Sequence, residues 1–81
     1  MEQFFRVPNR VFTLPLSSKE LLVLIYLLRC SNNGDAFPSH EKIAQACKMG
    51  RATVYRCIRK LEGRYILITR TSHKVNHYRI L

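Results

Sequence analysis

Acidic side chains are nearly missing from one half of this 81-residue chain. Residues 42–81 carry ten Lys and Arg against a single acid, Glu62, whereas residues 1–41 carry four of each sign. The whole +9 formal charge therefore sits in the second half. Such an imbalance creates a local positive field that attracts a polyanion, nucleic acid ahead of an anionic membrane surface. Tryptophan is absent, and glycine and proline occur three times each in a chain that is 47% hydrophobic. That excludes a low-complexity or disordered chain and indicates one small globular domain. Long apolar runs are also lacking. The longest, Leu21 to Leu28, has eight residues, against roughly twenty for a membrane span. "MEQFFRVPNRVF" has no basic region followed by an apolar one, so neither export nor insertion is expected, and the expected location is cytoplasmic.

Three cysteines, Cys30, Cys47 and Cys57, are an odd number without the paired spacing of a disulfide framework. A reduced chain follows. Zinc ligation by Cys47 and Cys57 with His40 would need a fourth ligand, and no CxxC spacing offers one. Small buried hydrophobes are the better assignment for these thiols. A Ser/His/Asp set, a carboxylate pair and a glycine-rich phosphate loop are lacking too. The chain is too short to enclose a substrate pocket. No enzyme, no cofactor and no small-molecule substrate are expected.

The chain divides into an N-terminal extended strap (1–16), a helical core (17–62) and a β-rich end (63–81). In the strap, Pro8 and Pro15 bias the residues before them away from helix, and Phe4, Phe5, Val7 or Phe12 is expected to pack on the domain. "SSKE" announces the first helix, with Ser17 as N-cap and Glu20 completing a capping box. Leu21, Leu24, Ile25 and Leu28 make its main stripe, Val23 and Leu27 widen it, and Leu22 and Tyr26 fall on the other side. "SNNGD" ends the helix. "FPSHEKIAQAC" predicts a second helix capped by Ser39, with Ile43 and Ala44 inward and Cys47 near the end. After the turn "KMG", a third helix runs from about Arg51 to Leu61 with Gly50 as N-cap. Val54, Cys57, Ile58 and Leu61 form its buried stripe. "YILITR" and "HYRIL", separated by the polar "TSHKVN", read as a β-hairpin with a longer loop.

Two short helices joined by a tight turn, the second anchored by an apolar stripe and basic on its other face, form a helix-turn-helix. The second helix of that arrangement enters the DNA major groove. Long hydrogen-bond donors on its outer face are what base edges require. That face holds Arg51, Ala52, Tyr55, Arg56 and Arg59, with Lys60 beside them and the hydroxyl of Thr53 near the helix start. A terminal basic hairpin extends the pattern to the winged form, in which Arg70, His73, Lys74 and Asn76 would sit on or beside the tip of the wing. The expected fold is α+β, a three-helix core followed by a two-stranded β-wing.

The chain resembles the winged-helix domains at the N-termini of replication initiators and small regulators from plasmids, phages and integrated mobile elements of Gram-positive bacteria. The matching stretches are "VPN" (7–9), "LSSKE" (16–20), "FPS" (37–39), "IA" (43–44), "RATV" (51–54), "IRKLE" (58–62) and "NHYRI" (76–80). The resemblance implies sequence-specific binding of double-stranded DNA, in transcription regulation or at a replication or recombination site. The chain departs from the family by Lys48 where a turn glycine is usual, and by Gly50 where a capping serine is usual. It also has Tyr65 where a glycine precedes the wing. Gly63, two residues earlier, implies an earlier end to the third helix or a different wing angle. Two further expectations concern partners. Surplus apolar surface at Phe4, Phe5, Val7, Phe12, Leu22 and Tyr26 points to a homodimer through the N-terminal segment and first helix. The alternative is a winged helix serving as a protein-interaction module without DNA binding.

Overall fold

In the computed structural model, which describes residues 9–32, 34–69 and 76–81, helix α1 (Ser18–Cys30) begins at the expected capping box. The Glu20 backbone N–H donates to the Ser17 hydroxyl at 3.2 Å, and the Ser17 N–H donates to the Glu20 carboxylate at 3.1 Å. Two donors that the first turn would leave orphaned are thereby satisfied. The buried face is Val23, Leu24 and Leu27. Leu21, Ile25 and Leu28, expected at its centre, are only partly buried, and Leu22 is exposed. On a helix apolar nearly all round, periodicity cannot fix the centre of the stripe. The neighbours packed against it do.

Helix α2 (His40–Cys47) starts at Ser39, whose hydroxyl accepts from the Lys42 N–H at 3.1 Å. It ends at Lys48, which adopts the left-handed conformation with φ 55°. That is the position where the resembled family has glycine. A side chain there costs roughly 1 kcal/mol that glycine would not incur. Helix α3 (Arg51–Leu61) follows, with Gly50 as N-cap. Its inward side is Val54, Cys57, Ile58 and Leu61, as the spacing predicts. The helix stops at Leu61, and Gly63 takes φ +84°. The Gly63 N–H donates to the Ile66 carbonyl at 2.8 Å and the Tyr65 N–H to the Leu61 carbonyl at 2.9 Å. The chain is thus turned directly into the sheet.

Strands β2 (Ile66–Thr69) and β3 (His77–Ile80) are the expected hairpin strands, paired antiparallel with Ile66 opposite Ile80 and Thr69 opposite His77. A third strand, β1 (Asp35–Ala36), pairs antiparallel with the other edge of β3, giving the order β1-β3-β2. The sequence offers no sign of β1, because two residues carry no period. Gly34, at φ +87°, turns the chain into it. The carbonyl of Gly34 accepts the Ile80 N–H at 2.7 Å, so the link after α1 is fastened to β3.

Residues Asn9–Thr13 form a 3-10 helix rather than extended chain. It buries Val11, whereas Phe12 is 63% exposed and does not pack on the domain. Phe4, Phe5 and Val7 lie outside the described residues. All three helices and the sheet close on one core in which Tyr78, Leu27, Ile43, Ile58, Leu61, Ile66 and Val54 are fully buried. The cysteines are free thiols. Burial pushes the Cys47 and Cys57 thiols up from their ordinary range, which keeps them neutral and unreactive. Among the described residues no three metal-ligating side chains converge, and no helix is long and apolar enough to cross a membrane.

Candidate nucleic-acid interface

The inward stripe of α3 dictates what its other side presents. At about 100° per residue, Ala52, Arg56 and Arg59 fall opposite Val54, Cys57, Ile58 and Leu61. All three are exposed. Arg51 and Tyr55 border this centre on the side of α2, where Arg51 shares a groove with Glu41. Thr53 and Lys60 border it on the side of α1, where they share a cleft with Ser17 and Glu20. Thr53 is half-buried and Lys60 exposed.

The two flanks differ in chemistry. Toward α2, the Arg51 guanidinium stands 4.0 Å from the Glu41 carboxylate, with the two side chains 74% and 65% exposed. A pair so open to water adds little stability, but its carboxylate offsets the Arg51 charge on that flank. Tyr55 meets the His40 ring edge-on at a centroid distance of 6.3 Å, and the Arg59 guanidinium lies 5.9 Å from the Tyr55 ring centre. A cation over an aromatic face is attracted by the ring quadrupole, so Tyr55 favours an Arg59 guanidinium placed beside it. Toward α1, Arg56 Nη2 donates a long hydrogen bond of 3.4 Å to Thr53 Oγ1. Among the described residues no ion pair is made by Arg56, Arg59 or Lys60.

The start of β3 approaches the N-terminal end of α3. Asn76 shares a groove of about 310 Å³ with Arg51, Glu41 and His40, so the start of β3 lies beside the N-termini of α2 and α3. The Asn76 amide donates to the Tyr78 hydroxyl at 3.5 Å, which leaves it loosely held. Arg70, His73 and Lys74 lie outside the described residues. Of the eleven positions expected from the sequence, the structure brings Arg51, Ala52, Thr53, Tyr55, Arg56, Arg59, Lys60 and Asn76 around one end and one face of α3.

Not all basic residues of the second half join that face. Arg79 Nη1 donates to Asp35 Oδ2 at 2.8 Å, and His77 Nε2 lies 2.7 Å from Asp35 Oδ1. An ionised carboxylate only accepts, so His77 carries its proton on Nε2. The hydrogen bonds from His77 and from Arg79 hold the Asp35 carboxyl below the usual carboxylate range. The His77 ring also stacks on Phe37, with centroids 4.9 Å apart. This cluster escaped sequence reasoning, as did the Glu41–Arg51 pair. Each joins residues distant in sequence, and the only available signal would have been β1 and the crossing of α2 on α3.

A three-helix core, a turn linking α2 to α3 and a β-hairpin after α3 define a winged helix-turn-helix. The family model described as a helix-turn-helix domain matches residues 14–67, more than half of the chain, and the chain belongs to that family. Comparison with curated proteins and with solved structures gave no match. Helix-turn-helix domains are a DNA-binding class.

Proposed function

We propose that the domain binds double-stranded DNA sequence-specifically, as a transcriptional regulator or as a replication- or recombination-site binding protein of a mobile genetic element. The observation that carries this reading is the outer face of α3. Arg56, Arg59 and Lys60 project from it without ion pairs among the described residues, directly behind a fully buried stripe. Arg56 and Arg59 are the proposed base-edge donors, Tyr55 and Thr53 contact sugar or base, and Ala52 lets the helix approach closely. Arg51 and Lys60 meet phosphates on either side. Arg70, His73, Lys74 and Asn76 track the backbone from the wing.

The general test is a salt titration of binding to a mixed DNA pool, read by fluorescence anisotropy. About 4–6 phosphate contacts per protomer give a slope of log K against log salt of roughly −4 to −5. A slope near zero overturns the proposal in favour of a protein-interaction module. Selection from the same pool reads the assembly. Phe12 at 63% and Leu22 at 44% exposure are apolar surface suited to a homodimer. A homodimer selects paired half-sites about one helical turn apart.

A further inference from the structure

The cleft between the first turn of α1 and the side of α3 is open, about 270 Å³, and lined by Lys19, Arg56, Lys60, Thr53 and Glu20 over the Cys57 thiol. Its composition follows from helix geometry. Thr53, Cys57 and Lys60 stand at i, i+4 and i+7 on α3, with Arg56 one turn from Thr53, so one side of the helix faces α1. Lys19 reaches the same place from the second position of α1. The one acid there, Glu20, is turned back on its own helix, where its carboxylate accepts the Ser17 N–H at 3.1 Å. Burial raises the Cys57 thiol, so the floor of the cleft is neutral. Three cations thus surround a hydroxyl and a neutral floor, opposed by one carboxylate already engaged.

A second observation concerns Lys19 alone. It sits in the first turn of α1, at the positive end of the helix dipole, where a cation destabilises and an acid is preferred. It is exposed and has no ion pair among the described residues. In the free protein its charge works against α1.

Resting on the DNA reading above, we propose that this cleft is a backbone-phosphate site, in which Lys19 of α1 joins Lys60 to hold one DNA strand beside the recognition helix, with the base-reading Arg56 at its edge. The dimensions agree. A helix with its side chains is about 10–12 Å across and the major groove is about 12 Å wide, so an inserted α3 meets a phosphate row on each flank. The α1 flank offers Lys19 and Lys60 beside the base-facing Arg56. On the α2 flank Arg51 is paired with Glu41, and Lys48 lines the same groove. The strand beside α1 is therefore held from α1 as well as from α3, and α1 belongs to the DNA-binding surface as well as to the core.

The experiment compares wild type, Lys19→Ala and Lys19→Arg, each by salt titration on one selected duplex and by thermal melting without DNA. Loss of one phosphate contact makes the slope shallower by about 0.9 and weakens binding about five- to tenfold at 0.1 M salt, an effect that fades toward 1 M. Lys19→Arg keeps the wild-type slope. Melting of free Lys19→Ala is unchanged or higher by about 1–3 °C, since an unfavourable charge–dipole contact is removed. A purely structural lysine would lower melting and leave the slope alone. A steep wild-type slope that Lys19→Ala does not change refutes the cleft and leaves the DNA reading standing. A flat wild-type slope removes both.

Discussion

Helix α3 and strand β3 are built alike and used differently. Each turns one side into the core, Val54, Cys57, Ile58 and Leu61 on the helix and Tyr78 on the strand. Each turns basic residues outward. On β3, His77 and Arg79 are both drawn to the single carboxylate of Asp35, at 2.7 and 2.8 Å. On α3, Arg56, Arg59 and Lys60 have no such acid among the described residues. The excess positive charge of the second half is thus not spread evenly over its surface. Where an acid lies across from it, the charge fastens β1 to β3. Where none does, it remains available to an incoming polyanion. Counting charges along the chain locates the basic half, while the placement of two acids of the other half, Asp35 and Glu41, decides which of its charges are already paired.

The harshest break in the comparison is on the buried side of α3. Val54→Asp puts a carboxylate where the wild-type side chain has no exposure. Among the described residues no charged side chain is buried in that core to pair it, and an unpaired buried charge costs more than a domain of this size can offset. The expected outcome is loss of the cooperative thermal melt and loss of DNA binding together. A wild-type melt would mean that the inward stripe of α3 has been misassigned.

That stripe is also where the sequence was most legible. Strong 3.6-residue periodicity and explicit caps placed α1, α2 and α3 within a residue of their observed ends, because those signals are local. The same holds for β2 and β3. What the sequence hid was non-local. Strand β1 exists because the second edge of β3 accepts it and Gly34 permits the turn. The 3-10 turn at Asn9–Thr13 buries Val11, which lines a cavity with Leu24 and Leu28 of α1, and leaves the larger Phe12 exposed. The candidate interface divides in the same way. Its membership on α3 followed from helical spacing, but the pairing of Arg51 with Glu41 needs the crossing of two helices.

Arg56→Ala tests the exposed side of α3 with a smaller effect. Its hydrogen bond to Thr53 is 3.4 Å long and exposed, so the melting temperature stays at the wild-type value. Binding to the selected site weakens by about 1–3 kcal/mol, with preference relaxed at one base position. Competition between the selected duplex and single-base variants measures this. A uniform loss over all variants would make Arg56 a backbone contact and move the base-reading role to Arg59.

The smallest expected effect, and the sharpest test of the contrast, comes from Asp35→Asn. In the folded chain Asp35 has a lowered pKa, because His77 and Arg79 donate to its charged form. A depressed carboxylate contributes stability that is complete above its unfolded value. The contribution shrinks as pH falls below about 3.8, the ordinary value, and is gone once pH has passed the lowered one. Asp35→Asn therefore melts a few degrees below wild type at neutral pH, and the two melting curves converge in acid. Its effect on DNA is the informative part. The substitution adds one unit of positive charge and loosens two basic side chains on β3. If β3 holds the sheet together and lies off the binding surface, the salt slope stays within about half a unit of wild type. A slope steeper by about 0.9, one full phosphate contact, would make Arg79 a member of the DNA surface that Asp35 holds in check, and α3 and β3 would then be two parts of one basic face.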